Sequence, residues 1–402
     1  MSDIIEKPKL KPLMKPVDKR PLSERVNWAN VFLVPAMPLI GIYGLFKVDL
    51  KLYTFLFAVL YGFFSGFGMT AGYHRLWSHT SYTATLPLKI FLLMAGSACF
   101  EESAISWARH HRAHHRYTDT SLDPYNALDG FIYTHIGWLF YKKQKSEAGY
   151  VSISDLKADP ILLFQHNFFY PIGFFFAFIV PTFLCGVGWG DWMGGLLFAS
   201  IGRVAVIHQL TYCINSITHI FGTSTFGDDQ TSKDCTLVGF ITFGEGYHNF
   251  HHEFPNDYGA TPLFFQFDVA KWFIDVMAFF GLAYDLKTTP EDQVKKAYVH
   301  TRLKELNRIQ NLSEFNVHYE KLPEYSPQEF NTQVQDYKKK WLIIENSIYD
   351  ISSFIENHPG GKAIISSGIG KDMTEAFNGG VYNHHTVARN LLRQFRIGII
   401  KA

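Results

Sequence analysis

Four cysteines in 402 residues, with no CxxC or CxxxC pair among Cys99, Cys185, Cys213 and Cys235, leave no basis for a disulfide framework. Charge is also scarce. Only 18% of residues are Asp, Glu, Lys or Arg, and a net charge of +1 provides no electrostatic footprint for nucleic acid. The N-terminal region lacks a short apolar core followed by a small-residue cleavage site, so the first apolar segment is expected to stay as an anchor. No internal repeat or low-complexity tract interrupts the chain. What is abundant instead is aromatic surface, 16% of residues with Phe alone at 37, a balance that points to lipid contact.

A bilayer crossing needs about 20 predominantly apolar residues. Stretches of that kind run from Val26 to Phe46, Leu52 to Tyr73 and Asn167 to Gly190, and a fourth from Trp192 to Ile214 is interrupted by Arg203 and His208. Those two side chains are expected to face the bundle interior or a partner, not lipid. The run Leu88 to Phe100 is too short to cross and reads as a re-entrant or surface helix. Two hairpins of spans, joined at 47–51 and 189–191, return the chain each time to its starting side. Residues 74–166 and 215–402 should then share a face with the N-terminal tail. Segment 74–166 holds nine Lys/Arg and the loop 187–191 none, which assigns the shared face to the cytosol.

Histidines cluster on that face. HRLWSH (His74, His79), HRAHH (His111, His114, His115) and HNFHH (His248, His251, His252) all lie just outside spans. In a helix, residues three and four apart share a side, so each HxxHH should present three imidazoles in one direction, as a metal grip requires. His74 and His79 diverge on an ideal α-helix and are expected at a helix end. His219 follows Asn215 by one turn at the end of the fourth span. His110, His135, His166, His208, His300 and His318 are read as ordinary surface or core residues. Imidazole suits zinc, copper, nickel and iron alike, and the HExxH pattern of zinc proteases is missing.

Beyond Asp285 the chain turns charged. Thr289-Pro290-Glu291-Asp292 opens a helix expected to run to about Gln310, and a compact mixed segment begins near Gln328. There IENHPGG (Ile355 to Gly361), GKDMTEAF and GGVYNHHTVA place His358 and His384 on separate helix ends, with room for a porphyrin between. This segment resembles cytochrome b5, which implies haem b held by His358 and His384. His385 fits the ligand position less well. Such a neighbour favours redox iron over zinc at the histidine clusters.

HRLWSH, HRAHH, NSITH (Asn215 to His219) and GEGYHNFHHEFP (Gly244 to Pro255) together resemble the membrane delta-9 acyl-CoA desaturases, the stearoyl-CoA desaturase family. The C-terminal fusion resembles the family's fungal form. The resemblance implies an α-helical integral membrane protein with four transmembrane helices and a cytosolic helical cap, plus a C-terminal α+β cytochrome b5-like domain. Its parts would be a cytosolic tail (1–25), a membrane desaturase domain (26–285), a helical connector (286–327) and the haem domain (328–402). It further implies two iron ions, one bound by His74, His79, His111, His115 and His251. The other would be bound by His114, His219, His248 and His252, with Asn215 acting through a water. Asn30, Arg109, Lys142, Lys143 and Tyr212 match positions that bind the CoA headgroup, although Glu102, His110 and Tyr212 depart from the residues of animal members. Expected partners are fatty acyl-CoA, molecular oxygen and NADH-cytochrome b5 reductase, at the endoplasmic reticulum membrane. Gly62 and Gly66 lie one helical repeat apart on the second span, about 18 Å and 12 Å before His74 at an α-helical rise, and could open the blind end of an acyl tunnel. Rival readings are a related lipid hydroxylase, a sphingolipid desaturase, or a membrane metal or electron carrier with no organic substrate.

Overall fold

The computed structural model describes residues 20–142, 149–261, 266–312, 322–381, 384 and 386–401. The chain forms two compact units, Met1–Arg302 and Leu303–Ala402.

Among the described residues, four helices of the first unit are long and apolar enough to cross a membrane: α1 (Trp28–Lys47), α2 (Leu52–Ser78), α5 (Phe169–Trp189) and α6 (Trp192–Ile220). Helix α1 carries Pro35 and Pro38 internally and exposes nearly all its side chains, as a lipid-facing helix does. The shorter helices between α2 and α5 include α3 (Leu86–Ser97) and α4 (Ala104–Tyr117). Helix α3 does not cross, in keeping with its 12 residues. It packs so closely on α2 that a Cβ on Gly68 would fall 2.0 Å from the Gly96 nitrogen, so glycine at Gly68 lets the two backbones meet.

Spans α2 and α6 extend to Ser78 and Ile220, beyond the Tyr73 and Ile214 expected from hydropathy. Polarity misplaces these ends because the last turns pack against protein, where polar side chains find partners. The winding also differs. Gly68–Ser78, Phe175–Ile179 and Gly195–Gly202 are π-helical, closing i to i+5 hydrogen bonds. Arg203 faces the interior, as intramembrane charge must. Its guanidinium donates to the Ser65 hydroxyl at 2.8 Å and to the carbonyls of Ala98, Ala177 and Ala199 at 2.9–3.0 Å, and lies 4.9 Å over the Tyr61 ring. The His208 Nε2 lies 2.8 Å from the Cys99 carbonyl.

Helices α2 and α6 start at the same end of the bundle. There Thr54 donates to the Asp191 carboxylate and the Trp189 indole donates to Thr54 at 2.8 Å. Both joining loops therefore lie at one end, and the histidine-bearing helix ends lie at the other. Helix α7 (His248–Glu253) and α8 (Val269–Phe279) complete that second end, where strands β1 (Thr83–Ala84) and β2 (Ala283–Tyr284) pair antiparallel. Helix α9 (Glu291–Leu312) begins within the Thr289–Asp292 segment expected to open it.

The second unit contains β3 (Glu324–Tyr325), α10 (Pro327–Gln335), β4 (Trp341–Ile344), β5 (Ser347–Asp350) and β6 (Arg396–Ile400). The strands form one sheet in the order β3-β6-β5-β4, with only the β3/β6 pair parallel. A two-residue turn joins β4 to β5, with Glu345 and Asn346 at φ of 48° and 60°, the sense that matches strand twist. Ser326 and Glu329 form a reciprocal capping box at the start of α10. Alternation along the strands sends Leu342, Ile344 and Tyr349 to one core, and Trp341 and Ile348 to another with Phe330.

Candidate metal centre

Among the described residues, nine histidines form two groups, within each of which the ligand atoms lie within 4.8 Å of one another. One group is His74, His79, His111, His115 and His251; the other is His114, His219, His248 and His252. The HxxHH segments therefore do not aim all three imidazoles at one point. Helix α4 sends His111 and His115 to the first group and His114 to the second, while α7 sends His251 to the first and His248 and His252 to the second. The groups are adjacent, with His115 stacked on His252 at 4.2 Å between centroids.

The π-winding of α2 explains the first pair. The His79 N–H bonds to the His74 carbonyl five residues back, at 3.1 Å, and the two rings lie 5.0 Å apart, whereas an α-helix would splay them. Within each group Nε2 faces Nε2: His74 to His251 at 3.0 Å, His79 to His111 at 2.8 Å and His115 to His251 at 2.9 Å in the first, and His219 to His248 at 3.1 Å in the second. Burial first, then the neighbouring histidines, holds His79, His111, His115, His251 and His252 well below the usual imidazole pKa, and His248 down at about 3. Neutral imidazole is the form that binds metal. Converging lone pairs on an all-imidazole donor set with no thiolate fit a first-row transition metal, iron included.

Residues 51–263 match the family model described as fatty acid desaturase, just over half of the chain. The chain belongs to the fatty acid desaturase family. Residues 326–401 of this desaturase match the cytochrome b5-like heme/steroid binding domain. It is 41% identical over 94% of its length to a probable acyl-CoA desaturase of Schizosaccharomyces pombe, covering 78% of that protein. It is 42% identical over 94% of its length to acyl-CoA desaturase 1 of Saccharomyces cerevisiae, covering 74% of it. The stearoyl-CoA desaturase of Homo sapiens is 38% identical over 71% of this chain and 80% of its own. The chain is thus an integral membrane oxidoreductase of the acyl-CoA desaturase type, with a C-terminal cytochrome b5 domain.

Residues not singled out in the sequence orient the imidazoles of this desaturase. The His74 Nδ1 lies 3.0 Å from Glu245 Oε2 and the His114 Nδ1 2.9 Å from Asp123 Oδ1, so in each the Nδ1 proton faces a carboxylate and Nε2 is left as the lone pair. Burial raises the Glu245 pKa, but Arg75 and His74 outweigh it and hold the carboxyl at about 2. For His219, Nδ1 reaches the Thr231 hydroxyl at 2.9 Å, and that hydroxyl donates to Asp119 at 2.6 Å. Asp119 takes a left-handed φ of 64° to make this contact, and also accepts the Thr231 N–H at 2.7 Å. Thr231→Val, which keeps shape and removes the relay, should weaken metal binding about 10–100-fold. A competition titration with a chelator would read this, and unchanged affinity would remove Thr231 from the site. Of these residues, only Glu245 sits inside a conspicuous motif.

The remaining sequence-named residues are less concentrated. Asn215 lies half-buried one turn before His219 on α6. Asn30 donates to the Leu139 carbonyl at 3.0 Å, while the Lys142 N–H bonds to Arg25 at 2.7 Å, so these two meet at the same segment. Arg109 is exposed on α4, and Tyr212 is buried with its ring 5.9 Å from His135. Lys143, His318 and His385 lie outside the described residues. The His110 Nδ1 lies 3.1 Å from a Glu102 carboxylate oxygen. His135 and His166 have ordinary hydrogen-bond partners, Ser216 with Gln209 and Ser103 respectively.

In the second unit, the His384 Nδ1 donates to the Phe377 carbonyl at 3.0 Å, which leaves Nε2 as the lone pair, and its ring stacks on Phe377 at 4.3 Å. His358 follows the turn Ile355–Asn357, with Phe354 edge-on at 5.7 Å, and its buried Nδ1 has no partner. An apolar cluster of Ile344, Ile351, Ile355, Ile369 and Leu392 shares Phe377 with the His384 stack. An orphaned imidazole, a second oriented through Nδ1 by a backbone carbonyl, and apolar walls fit a haem.

Proposed function

We infer that this chain introduces a double bond at carbon 9 of palmitoyl- and stearoyl-CoA, using dioxygen, two electrons and two protons and releasing two waters. The observation that carries the reading is the pair of adjacent all-histidine groups at one end of a four-span bundle, in a chain that also carries a haem-type domain. His74, His79, His111, His115 and His251 would hold one iron. His114, His219, His248 and His252 would hold the second, with Asn215 contributing through a water. When bound, the irons supply dioxygen activation against an unactivated methylene. The protein's part is to fix the imidazoles through Glu245, Asp123 and Thr231 and to bury the site. Haem b between His358 and His384 would deliver electrons received from NADH-cytochrome b5 reductase. The positive bias of the histidine end supports a cytosolic orientation for it and for both termini, at what is proposed to be the endoplasmic reticulum membrane.

Asn30, Arg109, Lys142, Lys143 and Tyr212 are proposed to receive the CoA moiety, the cations pairing with its phosphates. The acyl chain offers no polar handle, so the protein must choose the carbons by geometry. An apolar cavity of about 680 Å³ lies between α1, α2 and α6, lined by Gly41, Ala58, Gly62, Phe63, Leu210 and Phe243 among others. Gly62 faces it with open space, the nearest atom to a Cβ being Arg203 Cγ at 4.0 Å, whereas a Cβ on Gly66 would meet the Phe243 ring at 2.6 Å. The two glycines thus divide. Gly62→Phe should narrow the cavity and cut eighteen-carbon product at least several-fold more than shorter product, while Gly66→Phe should disrupt packing and lose both. Equal losses from Gly62→Phe would detach this cavity from chain-length selection. The reading as a whole is tested by gas chromatography of fatty acids from cells lacking their own desaturase and expressing this chain. Delta-9 monoenes are expected. Their absence with folded, haem-loaded protein would overturn it.

A further inference from the structure

The loop that carries Glu245 also sends a ring into the membrane bundle. It runs from the short helix Thr236–Ile241 to α7, and at its centre Phe243 and Gly244 take φ of 63° and 109°. Glycine enters that region freely, but a bulky L residue rarely does, and one held there is imposed by its surroundings. Here the backbone is pinned on both sides. The Gly244 N–H bonds to the Gly239 carbonyl at 2.9 Å, and the Phe243 carbonyl accepts the Ala270 N–H at 3.3 Å. A Cβ on Gly244 would fall 2.7 Å from the Asp268 Cα. What is left to move at Phe243 is the ring, about its side-chain torsions.

That ring is aimed at α2. It lies edge-on to Phe63 at 5.1 Å and to Phe67 at 5.8 Å between centroids, and covers Gly66 so closely that a Cβ there would fall 2.6 Å from it. One turn toward the histidines, the buried Thr70 donates its hydroxyl to the Gly66 carbonyl at 2.9 Å. One turn the other way, Gly62 opens onto the apolar cavity of about 680 Å³, which Phe63 and Phe243 also line. Along this face of α2 the order is therefore cavity, ring, histidine end. An acyl chain that holds carbon 9 at the histidine groups and runs its methyl end along α2 meets the ring before the cavity.

We propose that Phe243 is a specificity-determining residue whose ring gates the passage from the acyl path to the cavity at Gly62. The proposal rests on the desaturase reading above. Gly66 leaves the notch that the ring fills, so the gate needs glycine on the helix and an aromatic on the loop. Displacing the ring costs its contacts with Phe63, Phe67 and Gly66, and a long chain offsets that cost by burying further methylenes in the cavity. A shorter chain ends before the ring and leaves it in place.

Phe243→Gly removes the ring and suits the backbone, because glycine takes a positive φ without strain. From an equal mixture of palmitoyl- and stearoyl-CoA, the full-length variant should raise the ratio of eighteen- to sixteen-carbon monoenes at least about tenfold over wild type, since each methylene admitted to an apolar pocket is worth about that factor. Phe243→Leu should fall between the two, and it carries the same tests if Phe243→Gly fails to fold. Adding Gly62→Phe to Phe243→Gly should cancel the rise by closing the space behind the gate. An unchanged ratio at wild-type haem content and thermal midpoint would overturn the gate, as would a rise that survives Gly62→Phe. Binding of palmitoyl- and stearoyl-CoA without reductant reads the gate apart from turnover: the affinity gained from sixteen to eighteen carbons should be larger in Phe243→Gly than in wild type. That difference in a chain that forms no monoene would sink the desaturase reading and leave the gate standing. Equal chain-length dependence in both proteins would overturn the gate alone, and binding of neither acyl-CoA would overturn both.

Discussion

Replacing His251 with alanine is expected to reduce desaturation to background, a loss of at least about a hundredfold, while leaving the haem spectrum at full intensity. Its Nε2 stands between those of His74 and His115, at 3.0 Å and 2.9 Å, so no other side chain of the first group is as central. Deleting a ligand should cost more than the 10–100-fold typical of orienting residues, because a donor is lost outright. Iron content per chain, measured beside haem content, should fall with activity. The converse variant, His358→Ala, should lose the haem spectrum, keep non-haem iron, and recover product only when free cytochrome b5 is added. Full activity in His251→Ala would remove it from the metal site, and haem retained after loss of both His358 and His384 would relocate the prosthetic group.

Arg75→Ala should be the most damaging single change to stability. The guanidinium is buried, donates to Glu245 Oε1 at 2.9 Å and 3.2 Å, to the two Asp268 oxygens at 2.9 Å and 3.0 Å, and to the Tyr258 carbonyl at 2.9 Å. Its removal takes the shared guanidinium from two buried carboxylates, Glu245 and Asp268. Breaking a buried pair from one side costs about 3–5 kcal/mol, and here two pairs break at once. Because Glu245 also faces the His74 Nδ1, the metal site should loosen with the fold. Thermal unfolding in detergent should show a large drop in midpoint, with Arg75→Lys intermediate, since a single ammonium cannot reproduce the fork. A midpoint within a degree of wild type would mean that the carboxylates find water or another partner.

Local spacing made much of this protein legible. The apolar runs announced four spans and one segment too short to cross, because hydropathy is a property of contiguous residues. The histidine boxes announced metal chemistry, because three and four residues apart means one side of a helix. HPGG and the separation of His358 from His384 pointed to haem in the same way. Less legible were the ends of α2 and α6, where polar residues read as exits from the membrane but are turns packed in protein. The π-winding of Gly68–Ser78 could not be read from residue types, since the same residues suit i to i+4 and i to i+5 bonding.

The sequence by itself determined the family, the span count and which histidines are candidates, because those follow from composition and short-range order. Only the tertiary structure decided how the three boxes divide between two groups, since α4 and α7 each contribute to both and the division depends on how they cross. It alone showed that Glu245, Asp123 and Thr231 orient the imidazoles, and that Gly62 lines a cavity while Gly66 lies under Phe243. Hydrogen bonds and close contacts of that kind join residues tens or hundreds of positions apart, and no local pattern records them.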